Sequence, residues 1–208
     1  MNLPNQLSLL RILLTPVFVF LLFMDSGISR LLSFAVFSLA SMTDWYDGYI
    51  ARKSGKITIT GQFLDPLADK ILVSSSLICF SVMNYFPAWM VLVIVARDLL
   101  MTVFRSYAIL KGRPVKTNRF ARWKTFIQVI AIYFIFLYHL LVNSRLGVPI
   151  PPWLSWIPGY NVIFMTMYFV TLLTVFSGIV YLWENRRSLS YLLLAIRRAF
   201  LPSDTGMP

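Results

Sequence analysis

Asp44-Trp45-Tyr46-Asp47-Gly48-Tyr49-Ile50-Ala51-Arg52 and, eight residues on, Gly61-Gln62-Phe63-Leu64-Asp65-Pro66-Leu67-Ala68-Asp69 hold four of the eight acidic side chains in a chain of 208 residues. Asp44 and Asp47 are three apart, and Gly48, Ala51 and Arg52 continue the same helical face. Gly61, Asp65 and Asp69 are spaced by four, again one face of a helix. Two helices meeting near Lys53 to Thr60 would aim four carboxylates into one space. Crowded, poorly solvated carboxylates raise one another's proton affinity, and hard divalent cations relieve them by taking oxygen ligands. A set of carboxylates without His or Cys favours Mg2+, Mn2+ or Ca2+ over zinc. Gly48, Ala51 and Gly61 leave room for a groove beside the ions, and Arg52 offers a bidentate fork for a phosphate. This is equipment for metal-assisted phosphoryl transfer, with one carboxylate left to act as base.

The surroundings are apolar. Hydrophobic residues make up 58% of the chain and the mean hydropathy is +0.73, which excludes an ordinary soluble domain. Six hydrophobic segments are expected, near residues 12–24, 31–50, 61–83, 88–110, 126–142 and 162–183. A span needs about 20 residues. The first segment reaches that only with part of the N-terminal stretch included. The second, third and fourth qualify only if their polar residues face the protein interior. The expected fold is therefore an all-α membrane protein with six transmembrane helices. A short amphipathic segment precedes them (residues 1–11), the helical domain fills 12–186, and an amphipathic tail (187–208) lies on the inner face.

Charge sets the orientation. The net charge is +11, from 19 Lys and Arg. With both termini in the cytosol, only Arg30 and Arg145 fall in outer loops and the other 17 lie on or toward the inside. That distribution is the positive-inside pattern and argues for a lipid bilayer, not nucleic acid, as the partner of the excess charge. It also sets Arg52, Lys53 and the carboxylates near the cytosolic surface. Trp153, Trp156 and Tyr160 are expected as interface anchors on the outside. The first apolar run carries Pro16 and no cleavage site follows, so no cleavable signal peptide is expected. Cys79, the single cysteine, excludes a disulfide framework. The single histidine, His139, lies late in an apolar segment on the outer side, a membrane thickness from the aspartates. Arg97, Asp98 and Arg105 form a second polar set, in which Asp98 pairing with an Arg is one reading. Six basic residues follow between Lys111 and Lys124. They suit anionic lipid headgroups or, more sharply, a phosphate pocket for a second substrate, with Arg97, Arg105 and Lys124 within reach of the carboxylates.

The carboxylate pattern, position for position, resembles the signature of the CDP-alcohol phosphatidyltransferase family, membrane enzymes that displace CMP from a CDP-linked lipid with an alcohol. The resemblance implies that Asp44, Asp47 and Asp65 hold a pair of divalent ions, Mg2+ or Mn2+. It implies that Asp69 helps hold the second ion and is the general base. It carries Gly48, Arg52 and Thr58 over as contacts to the CDP diphosphate. Pro4-Asn5-Gln6-Leu7-Ser8-Leu9-Leu10-Arg11 looks like the family's N-P-N-x-L-T-x-x-R opening, which adds Asn5 and Ser8 as CDP contacts, with Ser where Thr is more usual. Ala96-Arg97-Asp98-Leu99 and Lys124-Thr125-Phe126-Ile127-Gln128 look like segments of the phosphatidylglycerophosphate synthases within that family. Ala121-Arg122 stands where a Gly-Lys pair is commoner.

The expected reaction is thus CDP-diacylglycerol plus sn-glycerol 3-phosphate, giving phosphatidylglycerophosphate and CMP, in a bacterial inner membrane with the site facing the cytosol. The resemblance also implies a homodimer. Rivals are the same chemistry on inositol phosphate, serine or phosphatidylglycerol, a divalent-metal transporter, and an anionic-lipid-binding scaffold. A transporter needs carboxylates spread along a pathway, whereas these four lie near one face. A scaffold has no use for Gly48, Ala51 and Gly61 in register.

Overall fold

The computed structural model describes residues 3–54, 59–110, 119–143 and 159–186, and among them there are six α-helices and no strand. They are α1 (Leu3–Phe23), α2 (Gly27–Ser54), α3 (Ile59–Val82), α4 (Ala88–Leu110), α5 (Arg119–Asn143) and α6 (Gly159–Glu184). Their lengths, 21 to 28 residues, correspond to about 31–42 Å at about 1.5 Å per residue, enough for a hydrocarbon core of about 30 Å. By apolar composition as well as length, three qualify as spans: Gln6–Phe23, Trp123–Leu141 and Asn161–Glu184. The other three are the helices whose polar residues were expected to face inward. The first apolar run reaches spanning length because α1 continues through the N-terminal stretch, with Ser8 and Arg11 fully buried.

Apolar side chains occupy both sides of these helices, as a bilayer requires. Phe18, Phe37, Phe80 and Phe136 are buried to 0% exposure. Their rings meet at centroid distances of 5.2 to 5.9 Å, joining α1, α2, α3 and α5 at one core. Such tilted and edge-on pairs are the favoured aromatic geometries. On the outer surface Leu13, Phe20, Leu92, Val103, Phe176 and Trp183 are largely exposed, a coat suited to lipid rather than water.

Hydroxyls in the interior find partners in their own helices. Thr15 donates to Arg11 O, Ser76 to Leu72 O, Thr171 to Met167 O and Thr174 to Val170 O, at 2.7–2.9 Å. These bonds meet the need for internal satisfaction where no water competes. Two side chains bridge between helices instead. Ser33 Oγ donates to Phe18 O at 3.1 Å and Arg11 Nε to Ala40 O at 3.2 Å, tying α2 to α1.

The α3–α4 turn is tightly specified. Asn84 has φ 63°, the left-handed conformation that Asn tolerates better than most residues. Its N–H donates to Ser81 O at 2.9 Å and the Tyr85 N–H to Phe80 O at 3.1 Å, the paired bonds of a Schellman cap. Pro87 then leads into α4, whose Met90 N–H reaches back to Pro87 O.

Candidate active site

The backbone carries the carboxylate pattern as its spacing predicts. Asp44, Asp47, Gly48, Ala51 and Arg52 lie on the last three turns of a continuous α2, and Gly61, Asp65 and Asp69 on the first three turns of α3. Only four residues separate the two helices, so these two sets stand at the same end of the bundle. Asp69 is half-buried. The side chains of Asn5, Asp44, Asp47, Gly48, Ala51, Arg52, Gly61 and Asp65, and Thr58 altogether, lie outside the described residues.

This donor set fits a divalent ion on its chemistry. All four groups are carboxylates, each pair is held at helical i, i+3 or i, i+4 spacing on an unbroken helix, and hard oxygen ligands are what Mg2+ and Mn2+ take.

One residue after Asp69 in the chain, Lys70 joins a second constellation, built around Asp98. Asp98 of α4 is almost wholly buried and accepts from Lys124 Nζ of α5 at 2.7 Å on both carboxylate oxygens. Arg97 donates to Asp98 Oδ1 at 3.1 Å, and Lys70 Nζ of α3 stands 3.6 Å from Oδ2. Three helices therefore deliver three cations to one carboxylate. Pairing of Asp98 with an Arg is present, and Lys124 makes the closer contact. The side chain of Lys124 is 1% exposed, against 14% for Arg97 and 20% for Lys70. Lys124 is spent on neutralising Asp98, while Arg97 and Lys70 keep an open side. Three cations against one anion leave two formal positive charges, and Lys70 is the residue after Asp69. The cluster thus carries net positive charge on the helices that bear Asp69, Asp98 and Lys124.

Of the residues expected at an acceptor phosphate, Arg97 and Lys124 come together. Arg105 lies two turns further along α4 with its side chain exposed, outside that cluster. Lys70 ends the stretch Leu64-Asp65-Pro66-Leu67-Ala68-Asp69-Lys70, which also resembles phosphatidylglycerophosphate synthases, but the sequence assigns it no role. Arg11 is a second addition: it is fully buried and bonds Ala40, one turn before Asp44. Burial of its charge requires hydrogen-bonded or charged partners, of which Ala40 O on α2 is one. Ser8, one turn earlier on the same helix, is buried as well. His139 shares a 2.6 Å hydrogen bond with the Tyr85 hydroxyl, about 22 Å along α5 from Lys124. It takes no part in this end of the molecule.

The model of the CDP-alcohol phosphatidyltransferase family matches residues 1–176. The chain belongs to the CDP-alcohol phosphatidyltransferase family. The match takes in both aspartate pairs and the Asp98 cluster, and it stops just before Ser177. Relatives agree. A CDP-diacylglycerol–glycerol-3-phosphate 3-phosphatidyltransferase of Bacillus subtilis (strain 168) is 40% identical over 151 residues, covering 67% of this chain and 78% of that protein. A probable phosphatidylglycerophosphate synthase of Mycobacterium tuberculosis (strain H37Rv) is 40% identical over 134 residues, 63% of this chain and 64% of that protein. A CDP-diacylglycerol–glycerol-3-phosphate 3-phosphatidyltransferase of Rickettsia typhi is 38% identical over 131 residues, 63% of this chain and 74% of that protein. With its spanning helices, this transferase is an integral membrane protein.

Proposed function

We propose that the protein transfers a phosphatidyl group from CDP-diacylglycerol to sn-glycerol 3-phosphate, releasing CMP and forming phosphatidylglycerophosphate. Relatives bearing that activity in their names support the reaction. The observation that carries the choice of acceptor is the Lys70–Arg97–Asp98–Lys124 cluster, whose Lys70 follows Asp69 in the chain. A phosphorylated acceptor brings about two negative charges near neutral pH, which the two uncompensated cations offset. Serine, net neutral, has no use for them.

Asp44, Asp47, Asp65 and Asp69 would hold Mg2+ or Mn2+, two ions by family resemblance. When bound, the ions supply charge neutralisation on the diphosphate. The residues then divide the work. Gly48, Arg52 and Thr58, with Asn5 and Ser8, hold the CDP diphosphate, and Ala51 and Gly61 leave the groove open. Lys70 and Arg97 hold the acceptor phosphate, with Arg105 at the entrance. Asp69 accepts the proton of the acceptor hydroxyl. That oxygen forms a bond to the lipid-side phosphorus. The bond from that phosphorus to the bridging oxygen breaks, and CMP leaves with the electron pair.

Positive charge on the inner side supports a site facing the cytosol, in a bacterial inner membrane spanned six times. Family resemblance supports a homodimer as the working unit. The experiment is CMP release from CDP-diacylglycerol by purified protein in mixed micelles, with a panel of acceptors. Glycerol 3-phosphate is expected to give the fastest release. Faster release with serine or inositol phosphate would overturn the acceptor.

A further inference from the structure

Arg97 is gripped from a third direction. Its Nη2 donates to Ser177 Oγ of α6 at 3.0 Å while Nη1 donates to Asp98 at 3.1 Å. Ser177 in turn donates to Thr174 O at 2.9 Å, so its one proton is committed and its oxygen lone pairs face the guanidinium. The next residue, Gly178, has no side chain where the arginine passes. A β-carbon there would stand 3.3 Å from Arg97 Cγ and 3.4 Å from Arg97 Nε, tighter than ordinary packing. The Nε itself is buried without a hydrogen-bond partner among the described residues. An unpaired donor pressed against a helix costs stability. That cost is explained if the position of the two outer nitrogens is what matters.

We propose that Ser177 and Gly178 form a seat for Arg97 that fixes its guanidinium at the acceptor pocket, making them positioning residues that set discrimination for a phosphorylated acceptor. The inference rests on the reading of Arg97 as an acceptor-phosphate residue. Both residues lie beyond the stretch that matches the family model, so the seat is supplied by this chain's last described helix.

Steady-state kinetics on the full-length enzyme in mixed micelles test it. Ser177→Ala removes a hydrogen bond from a charged donor and is expected to raise the KM for glycerol 3-phosphate about tenfold. The KM for CDP-diacylglycerol should stay unchanged. Gly178→Ala should act in the same direction and Gly178→Leu more strongly. Ser177→Thr, which keeps the hydroxyl, should restore the wild-type KM. Ile179→Ala, at the neighbouring outward-facing position, should change neither constant. If Arg97→Ala raises the acceptor KM while Ser177→Ala and Gly178→Ala do not, the seat is overturned and the acceptor reading stands. If Arg97→Ala leaves the acceptor KM unchanged, the acceptor reading of Arg97 fails and the seat with it. Equal rises in both KM values, or no rescue by Ser177→Thr, would reduce the pair to fold support and also overturn the proposal. Should Gly178→Leu fail to fold, Gly178→Ala and Ser177→Ala decide the matter.

Discussion

Lys124 and Asp98, 26 residues apart on different helices, share both carboxylate oxygens at 2.7 Å in a nearly water-free setting. The pair joins α5 to α4, and Lys70 and Arg97 complete its surroundings. Burying the Asp98 charge is tolerable here because three cations stand around it.

Removing one partner is therefore expected to be far worse than removing both. Asp98→Ala leaves three cations crowded together, and truncating one side of such a pair typically costs about 3–5 kcal/mol. A large fall in thermal midpoint is expected in detergent. The double variant Asp98→Leu/Lys124→Met, which keeps Lys70 and Arg97, should recover much of that midpoint. Equal midpoints for Asp98→Ala and wild type would refute the ion-pair account.

The oxygen-only donor set at the α2–α3 end motivates a test of metal dependence. Turnover is expected to require added Mg2+ or Mn2+. Asp44→Asn and Asp65→Asn should each abolish turnover with the thermal midpoint of the metal-free protein unchanged. Undiminished CMP release in excess EDTA would refute this.

Orientation is testable by cysteine labelling in intact cells, in a Cys79→Ala background. Lys53→Cys and Lys116→Cys should resist an impermeant reagent added outside, and Ser155→Cys should react. Labelling of Lys116→Cys from outside would reverse the topology.

The aromatic core predicts a local stability cost. Phe136 packs against Phe18, Phe34, Phe37 and Phe80. Phe136→Ala should destabilise by about 3–5 kcal/mol, seen as an earlier unfolding midpoint. Phe134→Ala, on the partly exposed side, should cost much less. Comparable midpoints for the two variants would contradict the packing.

At the turn, Asn84→Gly should be tolerated and Asn84→Val should destabilise by about 1–2 kcal/mol, since a β-branched residue is strained at positive φ. Midpoints measured side by side decide this, and a Val variant as stable as the Gly variant would rule out the strain.

Helical class and the placement of both aspartate pairs were legible because they rest on local periodicity. Asp44, Asp47, Asp65 and Asp69 announce helical faces by spacing alone, and α2 and α3 carry them on unbroken turns. The cation cluster was legible only in part. Arg97 sits next to Asp98 in the chain, so their pairing could be weighed. Lys124 reads as the last of six basic residues suited to lipid headgroups or to an acceptor phosphate, and no periodicity says that it turns inward to meet a carboxylate on another helix. Lys70 and Arg105 show the same gap from opposite sides. One is drawn into the cluster and the other left out by the way α3, α4 and α5 pack. Gly178 is silent in sequence, because its meaning is the arginine that crosses it.

Phe80 stands about 16 Å along α3 from Asp69, and Phe136 about 18 Å along α5 from Lys124. The Asn84 cap closes the bundle beyond them. The aromatic part of the core and the charged cluster thus occupy opposite halves of the same helices. Mutational tolerance should consequently run as a gradient down the long axis. Substitutions in the aromatic half would shift how long the protein survives heating and leave its selectivity intact. Those in the charged half would redraw selectivity at modest expense to endurance, wherever opposite charges are exchanged together. A lineage could drift toward warmer or colder habitats by editing one half without renegotiating the other.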